Sequence, residues 1–268
     1  MKSLAPKQLA DRFAAAAVAV RTARHAVALT GAGISVGSGI PDFRSPGGLW
    51  TVFSPEEYAT LDVFYRNPAK AWELFRALGK VLIGKKPNAA HLALAELEQH
   101  GWLQGVITQN IDNLHQQAGS RRVFEIHGEH QHLQCLHCGD LRPIEPELYQ
   151  CPDVPLCPHC SFPLKPNVVL FGESVRELEA IHEFVADCDL LLVIGTSTQV
   201  YPAAALPAMV QQNGGRIIEC NREPALSSTS SGRFTDLFLQ GDVLHTLPVL
   251  VDACRHPCVP PGPDRLAE

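Results

Sequence analysis

Thr30-Gly31-Ala32-Gly33-Ile34-Ser35-Val36-Gly37-Ser38-Gly39-Ile40-Pro41-Asp42-Phe43-Arg44 follows directly on the apolar run His25-Ala26-Val27-Ala28-Leu29. The run reads as a buried strand. A strand leading into a glycine-rich turn is how open α/β sheets hold phosphates. Gly31 and Gly33 would let the backbone approach a pyrophosphate, and a helix opening after them would add free N–H groups and a favourable dipole. The next glycine is Gly37, so the G-x-G-x-x-G spacing of dehydrogenases is not met. The stretch therefore predicts a dinucleotide-like ligand used for something other than hydride transfer.

Outward from it, segments 25–30, 105–108, 123–126, 167–171, 190–195 and 216–220 are short apolar runs, with helical patterns at 88–100, 174–187 and 202–213 between several of them. This alternation predicts an α/β fold, a doubly wound, Rossmann-like parallel sheet covered by helices. Two stretches interrupt it. Residues 45–87 carry prolines, glycines and many aromatics and predict a helical insertion with a long loop; residues 131–166 hold two C-x-x-C pairs and predict a small metal-binding module. The expected division is a discontinuous dinucleotide-binding, Rossmann-like domain over 1–44, 88–130 and 167–256, the two insertions, and a disordered proline-rich tail over 257–268.

The 268 residues, 46% hydrophobic, can bury one large and one small core. A net charge of -6 without any dense Lys/Arg run argues against nucleic-acid binding and suits a basic peptide partner. Ala14 to Val20 is too short to span a bilayer and lacks a cleavage pattern, so a cytoplasmic protein with no membrane attachment is expected. The odd count of nine cysteines, four of them in C-x-x-C pairs, suggests metal rather than a disulfide framework.

Cys135-x-x-Cys138 and Cys157-x-x-Cys160 stand eighteen residues apart, a spacing at which two thiolate knuckles close a tetrahedral Zn2+ site. Four sulfur ligands leave no open position, so the metal is expected to be structural, with His137, His159 and Cys151 as bystanders. Thr108-Gln109-Asn110-Ile111-Asp112-Asn113-Leu114-His115 follows an apolar run, at the strand end where such sheets bind ligands. Asn110 and Asp112 could recognise a carboxamide or simply cap a helix. In Glu125-Ile126-His127-Gly128, the histidine at a strand end is a candidate general base. Gly195-Thr196-Ser197 and Asn221-Arg222-Glu223 also follow strands and read either as ribose- and adenine-binding loops or as plain turns.

In this order the motifs resemble the sirtuin family of NAD-dependent protein lysine deacylases, in its bacterial and archaeal type. The carriers are 31–44, 108–115, 125–128, both C-x-x-C pairs, Asn167 to Glu173, 195–197 and 200–202, and the likeness extends over roughly 15–255. The resemblance implies that NAD is a consumed co-substrate. An acyl-lysine oxygen displaces nicotinamide from the ribose, and a histidine matching His127 deprotonates a ribose hydroxyl; the products are free lysine and O-acetyl-ADP-ribose. It assigns catalysis to His127 and Asn110, and implies that the long loop of the 45–87 insertion is cofactor-binding. It places NAD on Gly31, Ala32, Gly33, Ser35, Ile40, Asp42, Phe43 and Arg44, on Gln109, Asn110, Ile111 and Asp112, on Gly195, Thr196 and Ser197, and on Asn221, Arg222, Glu223, Asp242 and Val243. The acyl-lysine peptide would add as a strand along Val168, Leu170, Phe171, Gly172 and Glu173 on one side and Val200 and Tyr201 on the other. A monomer is expected.

Two departures from the family pattern bear on specificity. Relatives that prefer succinyl or malonyl lysine carry a Tyr-x-x-Arg pair where this chain has Phe75 and Leu78, which implies a neutral-acyl enzyme, acetyl first. Ser227–Gly232 is richer in serine than the pattern. Competing readings are an ADP-ribosyltransferase or NAD glycohydrolase, a noncatalytic NAD- or zinc-binding module, and a plain dehydrogenase.

Overall fold

The computed structural model describes residues 6–45, 47–226 and 234–256. The expected tail at 257–268 and the whole of Ser227–Gly232 lie outside them. In chain order the elements are α1 (Pro6–Thr22), β1 (Ala26–Thr30), α2 (Pro55–Tyr58), α3 (Leu61–Arg66), α4 (Pro68–Leu82), α5 (Ala89–Gln99), β2 (Gly105–Thr108), α6 (Leu114–Ala118), β3 (Val123–Glu125), β4 (Gly128–Cys135), β5 (Leu141–Pro143), β6 (Leu164–Val168), α7 (Leu178–Ala186), β7 (Leu190–Ile194), α8 (Leu206–Gln212), β8 (Arg216–Asn221), β9 (Leu237–Gln240) and α9 (Val243–Arg255).

Six strands form one parallel sheet in the order β3-β2-β1-β7-β8-β9. The chain builds outward from β1 in one direction, then restarts at β7 and builds in the other, so the order reverses between β1 and β7. Every residue of β1 and β7 is buried, because helices cover both faces of the sheet. One face packs against α1, α5 and α9, the other against α7 and α8. Two-sided burial is why these strands read as unbroken apolar runs rather than as alternating ones.

The second core belongs to a smaller lobe. Along α4, Ala71, Trp72, Leu74, Phe75, Leu78, Gly79 and Leu82 are buried, the three- and four-residue spacing of one helix face. Asn67 caps the helix by accepting from Lys70 N, with Pro68 in the first turn. That face packs on Leu133, Cys135, Tyr149, Cys157 and Leu164, and Trp72 Nε1 donates to the Leu164 carbonyl at 2.8 Å. Arg76 donates to the carbonyls of Cys151 and Pro152. The helical stretch and the cysteine-bearing stretch, each too small to enclose a core, thus enclose one together. Among the described residues no helix is long and apolar enough to cross a membrane.

Three expectations are corrected. The apolar run 167–171 does not join the parallel sheet: its first residues end β6, which pairs antiparallel with β4 in a separate three-stranded sheet, β5-β4-β6. The remainder is apolar because it lines a cavity. The helix expected after Gly33 is two 3₁₀ turns, Ala32–Ile34 and Val36–Ser38. The helix expected from 174 begins at Leu178, after Glu177 at φ 53°.

Candidate active site and metal centre

A cavity of about 810 Å³ opens between the sheet's carboxyl edge and the smaller lobe, at the point where the strand order reverses. Its floor is made where two loops meet. Gly33 N donates to the Gly195 carbonyl at 2.8 Å and Gly31 N to Ile194 O at 3.2 Å. A Cβ on Gly33 would lie 2.7 Å from Gly195 O, and one on Gly31 would lie 2.7 Å from the Thr196 side chain. Both glycines are therefore needed to seat the β1 loop on the β7 loop, a tighter reason than the approach to phosphate expected from sequence.

The residues singled out from sequence converge here with three exceptions. Gly31, Ala32, Gly33, Asp42, Phe43, Arg44, Gln109, Asn110, Ile111 and His127 line the cavity, as do 168–173, 195–197, Val200, Tyr201, 221–223, Asp242 and Val243. Ser35, Ile40 and Asp112 do not. Ile40 is buried in the smaller lobe's core. Ser35 and Asp112 stand behind the cavity wall, in a chain of buried hydrogen bonds. Asn88 N donates to His91 Nδ1 at 3.3 Å, and His91 Nε2 lies 3.4 Å from Ser35 Oγ. Ser35 Oγ donates to Asp112 Oδ2 at 2.6 Å and accepts from Asn110 Nδ2 at 3.1 Å. Asp112 Oδ1 accepts from Leu114 N at 3.0 Å, so this carboxylate satisfies the first amide of α6 from one residue before its N-cap, Asn113. Since His91 Nδ1 accepts, its proton sits on Nε2 and points to Ser35; the imidazole is neutral. Asn110, which also donates to the Gly31 carbonyl at 3.2 Å, is thereby fixed at the cavity surface.

Sequence reasoning gave no role to three buried side chains near this wall, His91, His115 and Glu219. Thr30 Oγ1 and His115 Nε2 are 2.9 Å apart, and the His115 and His91 rings meet edge to face. Glu219 accepts from Asn221 Nδ2 at 3.0 Å, from Ala225 N and from Thr235 Oγ1 at 2.9 Å, holding the loop after β8. The available signal was polar residues inside apolar patterns: His91 on the buried face of α5, Glu219 within β8.

His127 Nδ1 donates to the Gln109 carbonyl at 3.0 Å, which leaves Nε2 as the basic nitrogen. Burial holds the imidazole below its ordinary 6.5, the bond to Gln109 opposing that shift, so the free base prevails at neutral pH. Asp42 accepts from the backbone of Arg44 and Ser45 and from the Ser45 hydroxyl. Burial would raise its carboxyl, but these bonds outweigh it and lower the pKa. Arg44 reaches Ser197 Oγ at 3.1 Å, tying the β1 loop's extension to the β7 loop at the cavity mouth. Arg222 pairs with Asp242 at 2.7 Å, and Asp242 caps α9. A dinucleotide suits this donor set: glycine-rich backbone on the floor, hydroxyls and amides from three strand ends, and apolar walls from Phe43, Phe75, Leu78 and Val168.

The sulfurs of Cys135, Cys138, Cys157 and Cys160 all lie within 4.8 Å of one another, with the 135–160 and 138–157 pairs at 3.5 Å. Tetrahedral zinc at about 2.3 Å from each sulfur sets them about 3.8 Å apart. The four thiols fit that ion and complete its shell. His137 stacks on Phe162, and His159 lies 3.5 Å from Asp140.

The chain matches the family model described as the Sir2 family over residues 31–202. It is 43% identical over 236 residues to a protein of Pyrobaculum aerophilum named NAD-dependent protein deacylase 2, covering 87% of this chain and 92% of that one. A Caldivirga maquilingensis protein named NAD-dependent protein deacetylase is 49% identical over 212 residues, 78% of this chain and 82% of its own. Among solved structures, a Sir2 homolog in complex with NAD superimposes with a TM-score of 0.79 at 36% identity, covering 95% of each chain. Sir2Af2 bound to a myristoylated histone peptide gives 0.75 at 37% identity, covering 92% of this chain and 97% of that one. With its strand order, its cavity at the reversal point and its four-cysteine cluster in place, the chain belongs to the Sir2 family.

Proposed function

We infer that the chain is an NAD-dependent protein lysine deacylase, which moves the acyl group of a modified lysine onto ADP-ribose and releases nicotinamide. The observation that carries the reading is one cavity lined at once by the glycine-rich floor, by His127 with a free basic nitrogen, and by the apolar wall Phe75, Leu78 and Val168. NAD supplies the activated ribose carbon and is consumed. The chain's own residues position and move protons. Asn110 is held by Ser35 and the Gly31 carbonyl, where its amide can order the nicotinamide side. His127 Nε2 takes the proton of a ribose hydroxyl, while the Nδ1 proton stays on Nδ1, donated to the Gln109 carbonyl. Thr196, Ser197, Asn221 and Glu223 offer the adenosine half hydroxyl, amide and carboxylate contacts. Zinc bound by the four cysteines supplies structure to the smaller lobe and no chemistry.

The acyl-lysine enters between Val168–Glu173 and Val200–Tyr201. Among the described residues, Arg44 and Arg222 are the only Arg or Lys lining the cavity, and they are engaged by Ser197 and Asp242. With Phe75 and Leu78 at the apolar end, this favours neutral acyl groups, acetyl first. The same reading keeps the domain division at 1–44, 88–130 and 167–256 against the insertions 45–87 and 131–166, and describes a monomer acting on protein peptides without nucleic acid. The described cysteines, all free of disulfides, support a cytoplasmic setting. Incubation of acetyl-lysine peptide with NAD tests the function: nicotinamide release should require the peptide. His127→Ala should lower kcat by about 10² to 10⁴ while ADP-ribose binding persists. Nicotinamide release independent of peptide would replace this reading with a glycohydrolase.

A further inference from the structure

Lys165 is a charged side chain with no exposure at all, in a lobe whose chemistry does not use it. It lies on β6, three residues before the peptide-binding segment. Its ammonium donates to the Val168 carbonyl at 2.6 Å and to Pro166 O at 3.3 Å, and pairs with Glu173 at 3.1 Å. Glu173 is the far end of the same segment. One of its oxygens also accepts from Leu170 N at 3.2 Å, and the other takes Arg176 at 3.1 Å. Arg176 reaches Gln134 at 2.6 Å and Asn167 at 3.2 Å, and its backbone N–H bonds Ile126 O at 3.0 Å. The cluster thus grips the segment at its first residue, middle and last, and ties it to the residue beside His127.

Other parts of the segment are anchored independently. Val169 N donates to His127 O at 2.8 Å; Phe171 N donates to Ala59 O and its carbonyl accepts from Leu61 N, both at 2.9 Å. Among the described residues this leaves the Val169 carbonyl and the Gly172 amide without internal partners, as atoms open to an incoming strand. A lysine buried without exposure is costly unless paired and fully bonded. Here its two shorter bonds, to the Val168 carbonyl and to Glu173, both go to this one segment. Burial pulls the ammonium below its usual value, and Glu173 opposes that shift.

We propose that Lys165, with Glu173 and Arg176, is a positioning residue for acyl-peptide binding: it sets the curvature of 168–173 so that the Val169 carbonyl and Gly172 amide meet the peptide backbone, without touching peptide or NAD. The proposal rests on the deacylase reading of the groove. It makes Glu173 a brace rather than a peptide ligand, and predicts a defect confined to the peptide side of the cavity.

The test is acetyl-lysine peptide binding by fluorescence anisotropy, alongside steady-state kinetics, ADP-ribose affinity and zinc content. Lys165→Met should raise peptide Kd and KM by about ten-fold or more, with ADP-ribose affinity and zinc content held within about two-fold, and Lys165→Arg should recover most of the loss. The double variant Lys165→Met/Glu173→Leu leaves no carboxylate stranded and guards against misfolding; it should show the same peptide defect. Peptide affinity within about two-fold of the unsubstituted chain in the double variant, or parallel loss of peptide and ADP-ribose binding, would overturn the proposal. No peptide binding by the unsubstituted chain would instead overturn the deacylase reading on which it rests.

Discussion

Lowering the pH from 7 to 5 should weaken the fold through His91 and His115, two imidazoles buried directly behind the cavity. Burial takes His91 from 6.5 to about 4, against the pull of the Asp112 carboxylate, and takes His115 to about 3, with His91 adding to the shift. In the unfolded chain both return to near 6.5 and take up protons at pH 5, which the folded chain refuses. Between pH 6.5 and the folded values the unfolded state binds more protons, so stability is fully present above 6.5 and is lost as the pH falls. From 6.5 to 5.0 is about 1.5 pH units at about 1.36 kcal/mol each, hence about 2 kcal/mol per histidine and on the order of 4 kcal/mol for the pair. That is a large share of the roughly 5–15 kcal/mol by which domains are stable.

The histidines are not alone in this window. Burial raises the Glu125 carboxyl to about 7, with weaker contributions from Glu129, Glu177 and Asp112 and an opposing bond from Gln116. There the folded state is the one that binds the proton, so Glu125 offsets part of the loss. The contrast that isolates the imidazoles is His91→Gln/His115→Gln against the unsubstituted chain, by urea unfolding at pH 7 and pH 5. The variant is less stable at pH 7, since Thr30 and Ser35 lose their imidazole contacts, but its further loss on going to pH 5 should be smaller by about 4 kcal/mol. A difference below about 1 kcal/mol would show that the imidazoles are not held neutral by burial and would remove the hydrogen-bond order assigned to Asn88, His91, Ser35 and Asp112.

The acid limb of kcat/KM should have its midpoint below 6.5, because burial lowers His127 and the base must be unprotonated; a midpoint above 6.5 in the His127-dependent limb would contradict the geometry. Succinyl-lysine peptide should turn over at least about 100-fold more slowly than acetyl-lysine peptide, since a carboxylate against Phe75 and Leu78 meets no cation. Equal rates would refute that. Removing zinc with a strong chelator should collapse the smaller lobe, because Cys135 and Cys157 are themselves part of its core, and near-ultraviolet circular dichroism should fall together with activity. Gly79→Ala gains about 1 kcal/mol of helix propensity but sets a Cβ 2.2 Å from the Tyr149 ring, so thermal unfolding should show a net loss of about 1–2 kcal/mol; a raised Tm would refute the packing.

What the sequence made legible was the set of strand ends. Gly31–Gly33, Gln109–Asp112, His127, 195–197 and 221–223 each follow a short apolar run, and in a doubly wound sheet the ends of those runs gather at one edge. Periodicity could not say which sheet a run belongs to. Val168 to Phe171 is apolar because it walls the cavity and the smaller lobe's core, yet in one dimension it looks like any strand of the parallel sheet. Nor could composition show that the insertions 45–87 and 131–166, separated by more than a whole strand-and-helix stretch, complete a single core through Trp72, Leu133, Tyr149 and Leu164. β9 was missed because it is four residues long and only Leu239 is fully buried.

The misplaced third glycine has its explanation in the same geometry. A dehydrogenase-type fingerprint needs a glycine where a long helix packs against its strand, and here no α-helix follows Gly33, only two 3₁₀ turns. The close approach is instead between Gly33 and Gly195, two loops locked backbone to backbone across the point where the strand order reverses. Because the floor is main chain, the proposed reading puts what distinguishes one dinucleotide reaction from another in side chains over it: Asn110, held from behind by Ser35, and His127, held by Gln109. Both are placed by groups outside the glycine-rich turn, so on the proposed reading the turn provides for a dinucleotide, and the buried hydrogen bonds behind it decide what is done with one.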